Sequence, residues 1–127
     1  MSINEVGKVY ERPWGSYQTL AMADGYQVKI LTVAPGGRLS LQRHFHRCEH
    51  WVVVAGVPTI TVGEVVREYK RNEVAYIQVQ AEHRIEYFSD QPCELIEVQI
   101  GDYLGEDDIE RLEDVSVSYT HLTLPTS

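Results

Sequence analysis

Between residues 14 and 100, polar and apolar side chains alternate with a period of two, and glycine or proline interrupts the alternation every few residues. An amphipathic helix needs apolar residues three or four apart, whereas period two sends successive side chains to opposite faces of a strand. The pattern therefore predicts strands over 15–22, 26–33, 38–46, 49–55, 59–62, 65–69, 73–79, 84–88 and 93–100. Turns fall at Ala23-Asp24-Gly25, Pro35-Gly36-Gly37, Gly56-Val57-Pro58 and Gly63. Only 105–112 reads as a helix, with acids at its start suiting the positive end of a helix dipole and Ile109 three residues before Leu112. With 127 residues and 14.5 kDa, the chain is expected to form one all-β domain, a sandwich or barrel with one short C-terminal helix.

Charge narrows the partners. The formal net charge is −8 with a pI near 5.0, and most of the excess acid lies in 101–114. Such a balance argues against nucleic acid or an anionic membrane as the main partner. The acidic segment is open to two readings, a lid over a barrel mouth or a solvated face. No run reaches the roughly 18–20 apolar residues of a membrane span, and the N-terminus has no hydrophobic core region, so a cytoplasmic protein is expected. Cys48 and Cys93 are too few for a disulfide framework and read as two buried thiols. From 116 onward the composition changes abruptly. Residues 117–126 resemble the translated read-through of a sequencing adapter, so 1–115 is taken as the domain and 116–127 as a non-native tail.

With His121 set aside in that tail, the other four histidines fall in two short stretches, 42–51 and 81–84. On an unbroken strand His44 and His46 share a face. A bend after His46 brings in Glu49 or His50, and His83 arrives from another strand. Imidazoles with one carboxylate suit Zn²⁺, Fe²⁺, Mn²⁺, Co²⁺ or Ni²⁺ and leave coordination positions open. The alternative for each histidine is an ordinary surface or core residue.

The order of these residues resembles the cupin family. Gly37, His44, His46, Glu49 and the closing Gly56 match its first motif, and counting back from Gly56 selects Glu49 as the carboxylate. The resemblance sharpens along the chain through Arg12-Pro13-Trp14-Gly15, Leu39-Ser40-Leu41-Gln42, His46-Arg47-Cys48-Glu49-His50-Trp51, Leu95-Ile96-Glu97-Val98-Gln99 and Tyr103-Leu104-Gly105-Glu106-Asp107-Asp108. Over about 12–114 it looks like type II mannose-6-phosphate isomerase. It departs at Gln78-Val79-Gln80-Ala81-Glu82, where the family has a turn shaped by proline and glycine, and at Phe45, where the family has a histidine.

The resemblance implies a cupin double-stranded β-helix (a jelly-roll barrel) and a divalent metal held by His44, His46, Glu49 and His83. It implies interconversion of mannose 6-phosphate and fructose 6-phosphate, feeding GDP-mannose and polysaccharide synthesis, and a homodimer. The proton shuttled between C1 and C2 needs a base near neutrality; Glu97 is the candidate and His50 the reserve. Arg38 and Arg84 are candidates for the substrate phosphate, because a guanidinium binds phosphate bidentately. Gln42, on the same stripe as His44, is a candidate for a sugar hydroxyl. Two other functions remain open at this point: a non-catalytic sugar- or metal-binding cupin, and another cupin enzyme such as a dioxygenase.

Overall fold

The computed structural model of the chain describes residues 3–112 and a two-residue strand at 117–118. In chain order the strands are β1 (Val9–Arg12), β2 (Gly15–Ala23), β3 (Tyr26–Val33), β4 (Gly37–Arg38), β5 (Gln42–Arg43), β6 (Arg47–Ala55) and β7 (Thr59–Val62). They continue with β8 (Val65–Glu68), β9 (Val74–Ile77), β10 (His83–Glu86), β11 (Cys93–Gly101), β12 (Glu110–Arg111) and β13 (Val117–Ser118). One sheet runs β1-β2-β3-β11-β6-β9, and the second runs β12-β5-β10-β4-β13 with the β7–β8 hairpin attached through β10. The expected all-β architecture is present. Apart from the β13 pair, the tail expected to be foreign lies outside the described residues.

The two sheets enclose one core, where Leu31, Val53 and Leu95 of the first meet Ile60 and Ile85 of the second. Alternation explains which side chains enter. On β3 they are Gln27, Lys29, Leu31 and Val33; on β11, Cys93, Leu95, Glu97 and Gln99; on β6, Arg47, Glu49, Trp51 and Val53. The antiparallel register aligns these sets, with Leu95 opposite Leu31 and Val53, Glu97 opposite Lys29 and Trp51, and Gln99 opposite Gln27 and Glu49. The interior is thus divided along its axis into an apolar end and a polar end. Burying so many polar groups is costly unless each finds a partner, and the polar end is where the site lies. Gly56 closes β6 with φ +82°, and a Cβ there would stand 2.6 Å from the Tyr87 hydroxyl, so both the turn and the close approach require glycine.

Two expectations are corrected. The 105–112 segment is not a helix, and the described residues contain none. It makes a turn at 106–107 and then β12, which pairs with β5, while the Leu112 amide donates to the Leu41 carbonyl (2.8 Å). A single i, i+3 apolar pair buries too little to fix a helix, and the Asp108 carboxylate is drawn to backbone amides of the 45–46 bend instead. The strand expected over 38–46 is also broken into β4 and β5. Leu39 and Ser40 are both buried, so the face is reversed between Arg38 and Gln42.

Candidate functional site

At the polar end a cavity of about 400 Å³ opens between the sheets. On its wall His44, Glu49 and His83 bring one ligand atom each within 4.8 Å of one another, all from buried side chains. Three elements place them. His44 follows β5, Glu49 points inward from β6, and His83 opens β10 with its Cα paired to Gln42. Gln42 lines the same cavity.

The ring nitrogens have defined roles. His44 Nδ1 lies 2.6 Å from the Asp108 carbonyl and His83 Nδ1 lies 2.8 Å from that of Ala81, and a carbonyl can only accept. Both rings therefore carry their proton on Nδ1, so each Nε2 keeps its lone pair; that of His44 meets the Arg47 guanidinium (3.3 Å), which a cation would have to displace. Burial, and for His44 also the neighbouring Arg47 charge, lowers the pKa values to about 3 for His44 and about 4 for His83, so both rings are neutral at physiological pH. Glu49 Oε1 is buried without a hydrogen-bond partner and lies 3.8 Å from His83 Nε2. Two neutral imidazoles and an under-satisfied carboxylate oxygen converging on one point fit a divalent cation, with carbonyls orienting each ring.

The turn before His83 forms without the family's proline and glycine. Gln80 adopts φ 70°, its amide donates to the His44 carbonyl (2.8 Å), and the Ala81 amide donates to Gln78 (3.0 Å). A left-handed glutamine is strained, and the bond to the His44 backbone ties one ligand-bearing segment to the other.

Glu97 faces this group from β11, 5% exposed. Its Oε2 accepts from the Trp51 indole N–H (2.9 Å) and its Oε1 from Gln99 Nε2 (3.2 Å). Burial and the Glu49 charge raise its pKa to about 7, a value poised for proton transfer at neutral pH.

Several expected site residues lie elsewhere. His46 is exposed and its ring contacts the Asp108 carboxylate at 3.1 Å, because Phe45 and His46 together form an outward bend. The Asp108 carboxylate accepts both backbone amides of that bend, each at 2.9 Å. His50 points to the outer face of β6, with its ring against Tyr76, their centroids 4.8 Å apart. Arg38 and Arg84 both flank Glu86, at 3.3 and 3.7 Å, outside the cavity lining. The two interruptions of alternation, at 39–40 and 45–46, move Arg38 and His46 from the face that an unbroken strand predicts, whereas His50 and Arg84 simply alternate with the inward Glu49 and His83.

The same bend brings in a residue that the sequence reading passed over. Arg47 is 5% exposed; its Nε donates to Glu49 Oε2 (2.8 Å) and its Nη2 to His44 Nε2 (3.3 Å). Burial alone would lower the Arg47 pKa, but the Glu49, Glu97 and Glu106 carboxylates more than offset it and hold the guanidinium charged. Lys29 reaches Glu106 (2.9 Å) and sits 4.2 Å from the Tyr17 ring centroid. Arg12, Glu106, Ile109 and Arg111 complete the mouth, so part of the acidic segment borders the cavity. Counting inward positions back from Val33 and Val53 would have found Lys29 and Arg47 as inward-facing charges.

A double-stranded β-helix with a buried histidine–carboxylate cluster at one end defines the chain as a cupin. Among solved structures it resembles a variant of oxalate decarboxylase from Bacillus subtilis (TM-score 0.74, 13% identity, 84% of this chain and 30% of that one). It also resembles a double-stranded β-helix protein from Klebsiella pneumoniae (TM-score 0.68, 16% identity, 88% and 90%). Residues 2–114 match the family model described as mannose-6-phosphate isomerase C-terminal, and the chain belongs to that family. It is 52% identical over 104 residues to the alginate biosynthesis protein AlgA of Pseudomonas aeruginosa (82% of this chain, 22% of the relative). It is 52% identical over 107 residues to the xanthan biosynthesis protein XanB of Xanthomonas campestris (84% and 23%). It is 48% identical over 103 residues to the mannose-1-phosphate guanylyltransferase ManC of Salmonella typhimurium (81% and 22%). The chain spans a little over a fifth of the length of these relatives. No helix among the described residues is long and apolar enough to cross a membrane.

Proposed function

We propose that this domain is a metal-dependent aldose–ketose isomerase that interconverts mannose 6-phosphate and fructose 6-phosphate. The observation that carries the reading is Glu97, a buried carboxylate with a near-neutral pKa, facing His44, Glu49 and His83 across one cavity. A divalent ion held by those three residues supplies charge stabilisation for the oxygens at C1 and C2. Gln42, which lines the cavity on the strand paired to His83, would be available as a further oxygen donor in place of His46. Glu97 takes the proton from one carbon and returns it to the next, while the Trp51 and Gln99 donors fix its plane. Arg12, Lys29 and Arg111 at the mouth replace Arg38 and Arg84 as the cations available to a phosphate. A cavity of about 400 Å³ is within the usual range for a small-molecule site.

The relatives are named for alginate biosynthesis, xanthan biosynthesis and mannose-1-phosphate guanylyl transfer, and those names support the reading. Supply of a mannose phosphate for nucleotide-sugar and polysaccharide synthesis is the corresponding role here. The deciding experiment is a coupled assay for fructose 6-phosphate formed from mannose 6-phosphate by metal-reconstituted protein, with His44→Ala as control. Turnover that depends on both metal and His44 supports the proposal. Tight metal binding without turnover would instead identify a binding module.

A further inference from the structure

A chain of buried amides runs from the N-terminal segment to the proposed base. Asn4 Nδ2 donates to Glu106 Oε2 (3.1 Å) and to Gln27 Oε1 (3.0 Å), and Gln27 Oε1 also accepts from the Thr19 hydroxyl (2.9 Å). Gln27 Nε2 donates to Gln99 Oε1 (2.9 Å), and Gln99 Nε2 donates to Glu97 Oε1 (3.2 Å). Thr19, Gln27 and Gln99 are fully buried, and Asn4 is 7% exposed. The Tyr17 hydroxyl completes the Asn4 end by donating to its Oδ1 (3.0 Å).

The polarity of this chain is fixed by its ends. Glu106 can only accept, so the Asn4 amino group must face it, and the second hydrogen of that group must then point at an oxygen of Gln27. That choice turns the Gln27 amino group toward Gln99, and the Gln99 amino group toward Glu97. Each amide has one orientation compatible with its neighbours, and flipping any one of them sets acceptor against acceptor or donor against donor. Buried networks of this kind rigidify their members when every group is satisfied.

We propose that Asn4, Gln27 and Gln99 act as positioning residues that hold the Glu97 carboxylate in its working plane, coupling the N-terminal segment to the chemical site. In its activity arm the inference rests on Glu97 being the isomerase base. The simplest perturbation is Gln27→Glu, which keeps size and shape. The introduced carboxylate still accepts from Thr19 and Asn4 but presents its other oxygen to Gln99 Oε1. Gln99 recovers a bond only by turning its amino group away from Glu97, which sets its carbonyl against the carboxylate, so that Glu97 either turns or takes up a proton and its bond to the Trp51 indole changes. Gln99→Met, an unbranched replacement without a donor, tests the last link directly.

Two measurements read the outcome in the purified chain: the Trp51 indole N–H resonance in a ¹H–¹⁵N spectrum, and steady-state isomerase kinetics. Both variants should move the Trp51 resonance and lower kcat about 10²-fold, the scale expected for a misplaced catalytic group, with KM held within about threefold. A Trp51 resonance that stays in place in folded Gln27→Glu overturns the inference, and so does a wild-type kcat in an active enzyme. If the resonance moves but the wild-type protein has no isomerase activity, the positioning stands and the proposed function fails.

Discussion

Asp108 controls the geometry of the ligand segment from outside it. Its carboxylate accepts the amides of Phe45 and His46 at 2.9 Å each and contacts the His46 ring, while its own carbonyl accepts from His44. Asp108→Ala keeps the carbonyl but removes both backbone acceptors from a residue only 6% exposed. A hydrogen bond to a charged group contributes about 1.5–3 kcal/mol, so two of them, less the freedom regained by the bend, give a loss of about 3 kcal/mol. For a domain of this size that lowers Tm by roughly 10 °C or more. Without its acceptor, a straightened 44–49 segment would alternate and send Glu49 outward, so Zn²⁺ affinity should fall at least tenfold. Asp108→Asn should recover less than half of the loss, since its amino group meets an amide N–H.

The pH dependence has a defined sign. Burial opposes ionisation of Asp108, but the amides of Phe45 and His46 and the His46 ring outweigh it and hold its pKa below the usual carboxylate value. A depressed carboxylate contributes stability above its unfolded pKa, near 4, and loses it as pH falls through the lower folded value. Urea denaturation of wild type and Asp108→Ala should therefore converge in acid and differ fully at pH 7. A loss below about 0.5 kcal/mol at pH 7 refutes the argument that the carboxylate sustains the bend.

The same structure sets four further outcomes. His83→Ala should weaken Zn²⁺ binding by calorimetry far more than His46→Ala, and equal losses would restore His46 to the ligand set. Glu97→Gln should abolish turnover while leaving metal affinity within about threefold, because it removes the base but no proposed ligand. Leu95, fully buried in the apolar end, should cost about 2–5 kcal/mol as Leu95→Ala in urea denaturation. Burial, with a smaller effect of Glu94, raises the Cys93 thiol to about 12. Stability from that thiol is intact below pH 9 and lost as pH rises toward 12, so Cys93→Ala should flatten the alkaline limb of a stability-against-pH curve.

How much of this was legible in the sequence depends on one assumption, that alternation continues unbroken. It holds along β3, β6 and β11, so the strands are readable there, but parity alone leaves Ile96, Val98 and Ile100 as good a core face as the one carrying Glu97, and Glu49 is selected by its distance from Gly56. It fails at Leu39–Ser40 and at Phe45–His46, and those two places account for Arg38 outside the cavity, His46 on the surface and Arg47 inside. No local propensity marks the second break, because its cause is a carboxylate about sixty residues away in sequence, an interaction that a one-dimensional pattern does not carry. The helix expected over 105–112 fails for the same reason, since Asp108 serves the bend, Glu106 pairs with Lys29 and Glu110 pairs with Arg43, and none of the three serves a helix dipole.

The axial division of the interior has a genetic consequence. Leu31, Val33, Val53, Cys93 and Leu95 at one end contribute cohesion, while Lys29, Arg47, Glu49, Glu97 and Gln99 at the other are buried against the tendency of charged and polar groups to stay in water. Substitutions across the same three strands should therefore sort into two phenotypes. Those at the apolar end reduce the amount of folded protein but leave the activity of each surviving molecule intact. Near-isosteric replacements such as Glu97→Gln should be largely tolerated for abundance while silencing the molecule, whereas apolar ones also orphan the Trp51 and Gln27 donors. A mutational scan scored separately for abundance and for turnover would show the boundary crossing β3 between Lys29 and Leu31, β11 between Leu95 and Glu97, and β6 between Trp51 and Val53.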